Sequence, residues 1–152
     1  MSKAAESSEP ASEVEHLIAD LSGADPLVFV FGDGLTTAHL TGTTAPGFGG
    51  PAGRRWWGVE LGDAAKWRMH VRVDEITGVR FVRKPWGDGP ELLSLEFLGP
   101  SRDTVLYCYV GDLYDGQRMR PEKLAAWRAL RERYGNREES RVGRGRLLPP
   151  VA

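Results

Sequence analysis

Apolar residues recur at helical spacing near both ends of this chain, and at a spacing of two through most of what lies between. Val14, Leu17, Ile18 and Leu21 fall on one helical face. Ser12 and Glu15 form an S-x-x-E capping box ahead of them, and Gly23 closes the run. From Pro26 the period changes to two, and Leu27 to Phe31 and Leu35 to Leu40 flank Asp33-Gly34, a strong hairpin-turn signal. Further strands are predicted at Arg55 to Leu61, Lys66 to Val73, Thr77 to Lys84, Leu92 to Leu98 and Thr104 to Val110. Turn chemistry separates them at Gly62-Asp63, Gly87-Asp88-Gly89 and Gly99-Pro100. Connections this short force antiparallel pairing, because a parallel crossover needs a dozen or more residues. A second helix opens at Pro121 and carries Leu124, Trp127, Leu130 and Tyr134 to Gly135, which suits a residue just past a helix end.

Residues 42 to 54 (GTTAPGFGGPAGR) replace periodicity with Gly and Pro, so a loop is predicted there: a ligand flap or a plain surface connection. The organisation expected is a disordered N-terminus over 1–11, one domain over 12–135 and a flexible tail over 136–152. At 152 residues and 41% hydrophobic content, the chain has ample material for one packed core. A net charge of -1 provides no global field to hold it on nucleic acid or an anionic membrane. Met1 to Ser12 is polar and acidic, unlike a signal peptide, and no stretch reaches the roughly 20 apolar residues of a membrane span, so a cytoplasmic protein with no membrane insertion is expected. Cys108 is the only cysteine. It sits in a strand pattern and reads as a core thiol.

Candidate chemistry concentrates on one strand. Alternation places Trp67, Met69, Val71 and Val73 on one face and Lys66, Arg68, His70 and Arg72 on the other. A row of cationic and titratable groups repels itself unless something anionic lies against it. Haem suits such a stripe: Arg68 or Arg72 for its propionates, His70 for its iron, Trp56 or Trp57 for its ring. The plain alternative is a solvated face whose charges pair with acids on a neighbouring strand, such as Glu60 or Glu96. Arg80, Arg83, Lys84 and Trp86 form a second cationic and aromatic cluster of the kind that binds single-stranded nucleic acid, but no RNP-like motif accompanies it, and no nucleic-acid partner is expected. His39 is a weaker candidate for a second ligand, His16 weaker still, and Asp74 and Glu75 read as turn residues. No nucleophile elbow, phosphate loop, HExxH or EF-hand pattern occurs, which favours binding over catalysis.

His70-Val71-Arg72-Val73-Asp74-Glu75-Ile76, then Val79 to Pro85 (VRFVRKP), then Leu92 to Phe97 (LLSLEF) resembles a stretch of the HemS/ChuX (HutX-like) family of haem-handling proteins. There an H-x-R strand precedes a strand ending in R-K-P or R-P and then an S-L-E strand. Val110-Gly111, the acidic loop and the helix from Pro121 are similar to the family's ending. The resemblance implies a tendency to form a homodimer, and carriage of haem or a similar tetrapyrrole, with haem breakdown in longer members. It places on His70 one of two haem-associated histidines, while the early strand that should hold the other has Phe29 or Phe31, with His39 offset from a clean match. Together these readings predict an α+β fold with a large curved antiparallel sheet of about seven strands and flanking N- and C-terminal helices. The functional expectation is binding of non-covalent b-type haem, with His70 ligating the iron or lying beside it, Arg68 and Arg72 on the propionates, and Trp56 and Trp57 on the macrocycle. The alternatives are a relative without haem serving as a non-catalytic interaction domain, and reductant-dependent haem breakdown.

Overall fold

A computed structural model describes residues 12–21, 26–32, 37–51, 54–61, 67–85 and 88–135. The readings made for the two termini, for the turns at Asp33-Gly34 and Gly62-Asp63, and for Gly23, Lys66 and Trp86 lie outside these residues. Helix α1 (Glu13–Asp20) starts as its capping box predicts, with the Ser12 hydroxyl accepting the Glu15 backbone N–H at 3.2 Å. Seven strands follow: β1 (Leu27–Gly32), β2 (Thr37–Gly49), β3 (Trp56–Leu61), β4 (Trp67–Arg72), β5 (Gly78–Pro85), β6 (Glu91–Leu98) and β7 (Thr104–Val110). They form one antiparallel sheet in the order β4-β3-β2-β1-β7-β6-β5. A two-residue hairpin, β8 (Tyr114–Asp115) with β9 (Arg118–Met119), occupies the expected acidic loop. Helix α2 (Pro121–Leu130) then runs into a π-helical turn, Arg131–Gly135. Gly135 comes so close to Phe81 that an added Cβ would lie 3.3 Å from the ring.

The expected loop at 42–54 is instead mostly strand, since β2 continues unbroken to Gly49. The glycines extend rather than break it, because Gly47 pairs with Gly58 and Gly49 with Trp56. The register slips between Thr43 and Gly47. Pro46 lies within that slip, where a residue with no backbone N–H costs no ladder hydrogen bond. Gly50 makes the exit with φ +97°, and a Cβ there would lie 2.3 Å from the Arg54 carbonyl oxygen.

The sheet is strongly bent, and two observations show why. Arg72 ends β4 at one edge and Gly78 begins β5 at the other. Six residue steps span at most roughly 20 Å, whereas six strand spacings in a flat sheet would be roughly 29 Å. The connection, a 3-10 turn at Val73–Glu75, therefore draws the two edges together. Trp57 of β3 also lies 5.9 Å from Phe97 of β6, ring centre to ring centre. Those strands are four spacings apart, roughly 19 Å if the sheet were flat. The β2-β3-β4 half has thus folded over the β1-β7-β6-β5 half, with the irregularity in β2 as the corner.

The concave side holds the core. Leu17, Ile18 and Leu21 of the N-terminal helix, Phe29, Trp57, Phe81, Leu95, Phe97 and Cys108 of the sheet, and Trp127, Leu130 and Tyr134 from the C-terminal helical region form one buried cluster. Both helices therefore serve this side. The Trp127 Nε1–H donates to the Ser94 carbonyl at 3.1 Å, anchoring α2 to β6. Cys108 is wholly buried, and burial pushes its thiol pKa well up, consistent with a core thiol.

Candidate functional site

At the mouth of the folded sheet, where β4 meets the turn between β6 and β7, the chain leaves a cleft of about 460 Å³. Its apolar lining is Phe31, Met69, Val71, Ile76 and Leu106, and Trp56, Arg72, Glu75 and Val105 also border it. That volume lies within the range of small-molecule sites, and an apolar cleft with a few convergent polar groups is their usual form. His70 is part of the lining. It sits on β4 opposite Gly58, on the strand face shared with Arg68 and Arg72, and is exposed.

The structure brings together three of the five expected site residues: Trp56, His70 and Arg72. The guanidinium of Arg72 lies over the Trp56 ring, 5.3 Å from its centre. Its Nε and Nη2 donate to the two carboxylate oxygens of Asp74 at 2.8 and 2.7 Å, and Nη2 lies 3.7 Å from Glu75. This hydrogen-bonded pairing, outweighing some desolvation, holds the Asp74 carboxyl below the usual carboxylate range, helped by backbone N–H groups of Asp74 and Arg55. Asp74 and Glu75 lie in the turn after β4, as the sequence suggests, with Glu75 also bordering the cleft and Asp74 holding the arginine that does.

Trp57 is a correction. It is 0% exposed against 39% for Trp56, and its ring meets Phe29 at 6.1 Å and Phe97 at 5.9 Å. Neighbouring residues of a strand face opposite ways, and Trp57, enclosed by these rings, serves the core and is absent from the cleft lining. Arg68 stands apart from the cleft lining, 69% exposed, with Glu60 3.7 Å away on the adjacent strand. That is the cross-strand pairing offered as the plain alternative for the stripe. Among the second cationic cluster, Arg80 and Lys84 both lie against the buried Glu96, at 2.9 and 3.5 Å, and Arg83 lies 2.9 Å from Glu91. The His39 backbone pairs with Val30, in the stretch of β2 before the corner, whereas His70 pairs with Gly58 beyond it.

Sequence reading missed the apolar half of the site. Met69 and Val71 were legible as the inward face of β4, but Phe31, Ile76 and Leu106 join them only because the sheet folds over. Gly99-Pro100 at the strand turn was the one local hint. Among the described residues there is no group of three or more His, Cys, Asp and Glu side chains arranged to hold a metal ion, and no helix long and apolar enough to cross a membrane. A second, apolar groove of about 390 Å³ lies away from the cleft, lined by residues including Val28, Val30, Pro90, Leu92 and Tyr109.

No protein-family model matches the chain, and no curated protein does. Solved structures do match in fold. The Agrobacterium tumefaciens protein AGR_C_4470 superposes with a TM-score of 0.64 at 16% identity, over 88% of this chain and 74% of that one. The haem-binding protein ChuX superposes with a TM-score of 0.61 at 12% identity, over 82% of this chain and 74% of that one. A second ChuX structure has a TM-score of 0.62 at 10% identity, over 87% and 78% of the two chains. The α+β fold expected from the sequence, a curved seven-stranded antiparallel sheet with terminal helices, is therefore the fold this chain shares with ChuX.

Proposed function

We propose that this protein binds haem or a similar flat, anionic tetrapyrrole in the cleft at the mouth of its sheet. The observation that carries the reading is the meeting of an imidazole, a guanidinium and a tryptophan around an apolar cleft: His70, Arg72 and Trp56 with Met69, Val71 and Ile76. A macrocycle buries its rings against apolar and aromatic surface, its carboxylates take a guanidinium, and its iron takes an imidazole nitrogen. The donor set present fits that ligand with one coordinating histidine, His70. The fold shared with the haem-binding protein ChuX supports the same reading. Carriage or transfer of the ligand, by non-covalent binding, is the role that a chain with no recognisable catalytic motif would serve.

Titration with hemin, following the Soret band in wild type and His70→Ala, tests this. A saturable, shifted band that weakens or moves in the mutant supports haem binding with His70 as ligand. A band insensitive to the mutation transfers the ligand role to another residue, and no saturable band sinks the haem reading. A second reading, a non-catalytic interaction domain that pairs with a second copy, is favoured by the separate apolar groove around Val28, Val30 and Leu92. Sedimentation of the hemin-free protein separates the two, since a monomer at high concentration removes the pairing.

A further inference from the structure

We propose that Asp74 is a built-in competitor for the cleft's ligand: its carboxylate fills the Arg72 fork in the free protein, and a carboxylate of the incoming ligand takes its place. This rests on the reading of the cleft as an anionic-ligand site. An arginine fork matches a carboxylate through two parallel N–H donors, and in this protein those donors, Nε and Nη2, already meet Asp74 at 2.8 and 2.7 Å. The guanidinium carbon also lies 5.3 Å from the Trp56 ring centre. With Glu75 also 3.7 Å from Arg72, one cation faces two carboxylates, so the formal charge of the trio is -1.

That charge has the wrong sign for a propionate. An anion approaching the mouth meets Arg72 already paired, together with the uncompensated charge of Glu75, which is half exposed. The pair is nevertheless exchangeable, because its side chains keep 28% and 17% of their surface open and its arginine borders the cleft. Replacing one carboxylate by another on the same fork conserves its hydrogen bonds. Asp74 in turn keeps backbone donors, its own N–H and that of Arg55, so its carboxylate has partners when Arg72 turns to the ligand. The chain thus lowers its own affinity for carboxylates and favours ligands whose apolar body fills the cleft deeply enough to compensate.

The test uses full-length protein with two probes, hemin and hemin dimethyl ester, whose propionates carry no charge. Asp74→Asn keeps the acceptor for the backbone donors and removes the charge. It is expected to tighten hemin by roughly three- to tenfold, the scale of one partly exposed charge pair, and to leave the dimethyl ester unchanged. Arg72→Gln is expected to abolish that gain when combined with Asp74→Asn, so the two changes are non-additive. Asp74→Ser provides a second uncharged variant if Asn disturbs the turn, and thermal melting reports folding in each. If wild type binds hemin but neither Asp74 variant binds it more tightly, or if the ester tightens equally, Asp74 is only a brace for the turn and the competitor role is overturned. If no variant binds either probe saturably, the tetrapyrrole reading fails and this inference fails with it.

Discussion

Two arginine–carboxylate forks of nearly the same geometry stand a short distance apart in this chain and do different work. Arg55 donates to Glu15 through Nε at 3.1 Å and Nη2 at 2.7 Å, and Arg72 donates to Asp74 through the same atoms at 2.8 and 2.7 Å. The first joins residues 40 apart in sequence and is buried, with 10% and 3% of the side chains exposed. The second joins residues two apart, of which Arg72 borders the cleft. They meet through the Arg55 backbone, whose carbonyl accepts the Val73 N–H at 3.1 Å and whose N–H reaches Asp74. Matching hydrogen bonds therefore carry unequal consequences. Where water is largely excluded, the two charges depend on each other, and the pair locks helix α1 to the entrance of β3. At the rim, solvent or a ligand can replace either partner.

The largest effect expected is on the buried fork. Glu15→Ala removes the carboxylate that neutralises the buried Arg55 charge and should destabilise the fold by about 3–5 kcal/mol, read as a fall in the urea midpoint with unchanged slope. A loss below about 1 kcal/mol would mean that water and the Gly50 carbonyl, which Arg55 Nη1 already meets at 3.2 Å, suffice for the charge, and the contrast between the forks would collapse. Asp74→Asn comes next and should cost less than about 1 kcal/mol at neutral pH. Its dependence on pH sharpens the point. Because the folded Asp74 pKa is lowered, the pair's contribution is fully present above the usual carboxylate range, near pH 4, and is lost as pH falls through the lower folded value. The stability gap between wild type and Asp74→Asn should accordingly be flat above about pH 5 and close in strong acid; a gap that opens in acid would show that the sign is wrong. Smallest of all, Arg68→Ala should change stability by no more than about 0.5 kcal/mol and leave hemin titration unaltered, since Arg68 is exposed and outside the cleft lining. A weakened Soret titration in that variant would return Arg68 to the site.

These contrasts mark how far the residues could be read without a structure. Alternation within β4 separated Met69 and Val71 from Arg68, His70 and Arg72, because a strand's side-chain period of two is local. The same rule, applied to Trp56 and Trp57, should have assigned them opposite roles; pairing them on one ligand overlooked it. The stretch from Thr43 to Gly49 read as a loop because glycine and proline weaken strand propensity. It forms a strand because neighbours on β3 pair with it and Pro46 falls where the ladder slips.

The linear pattern was sufficient to determine the two helical regions, the antiparallel strands apart from the second half of β2, and the strand that holds His70 and Arg72. Each depends on residues a few positions apart and on turns too short for a parallel crossover. Only the tertiary structure decided the fold-over at the β2 corner, the union of Phe31, Ile76 and Leu106 with β4 in one cleft, the burial of Glu15 against Arg55, and the prior claim of Asp74 on Arg72. The first three come from the packing of segments far apart in the chain. The last depends on how a five-residue connection bends to join the two edges of the sheet, and periodicity carries no information about either.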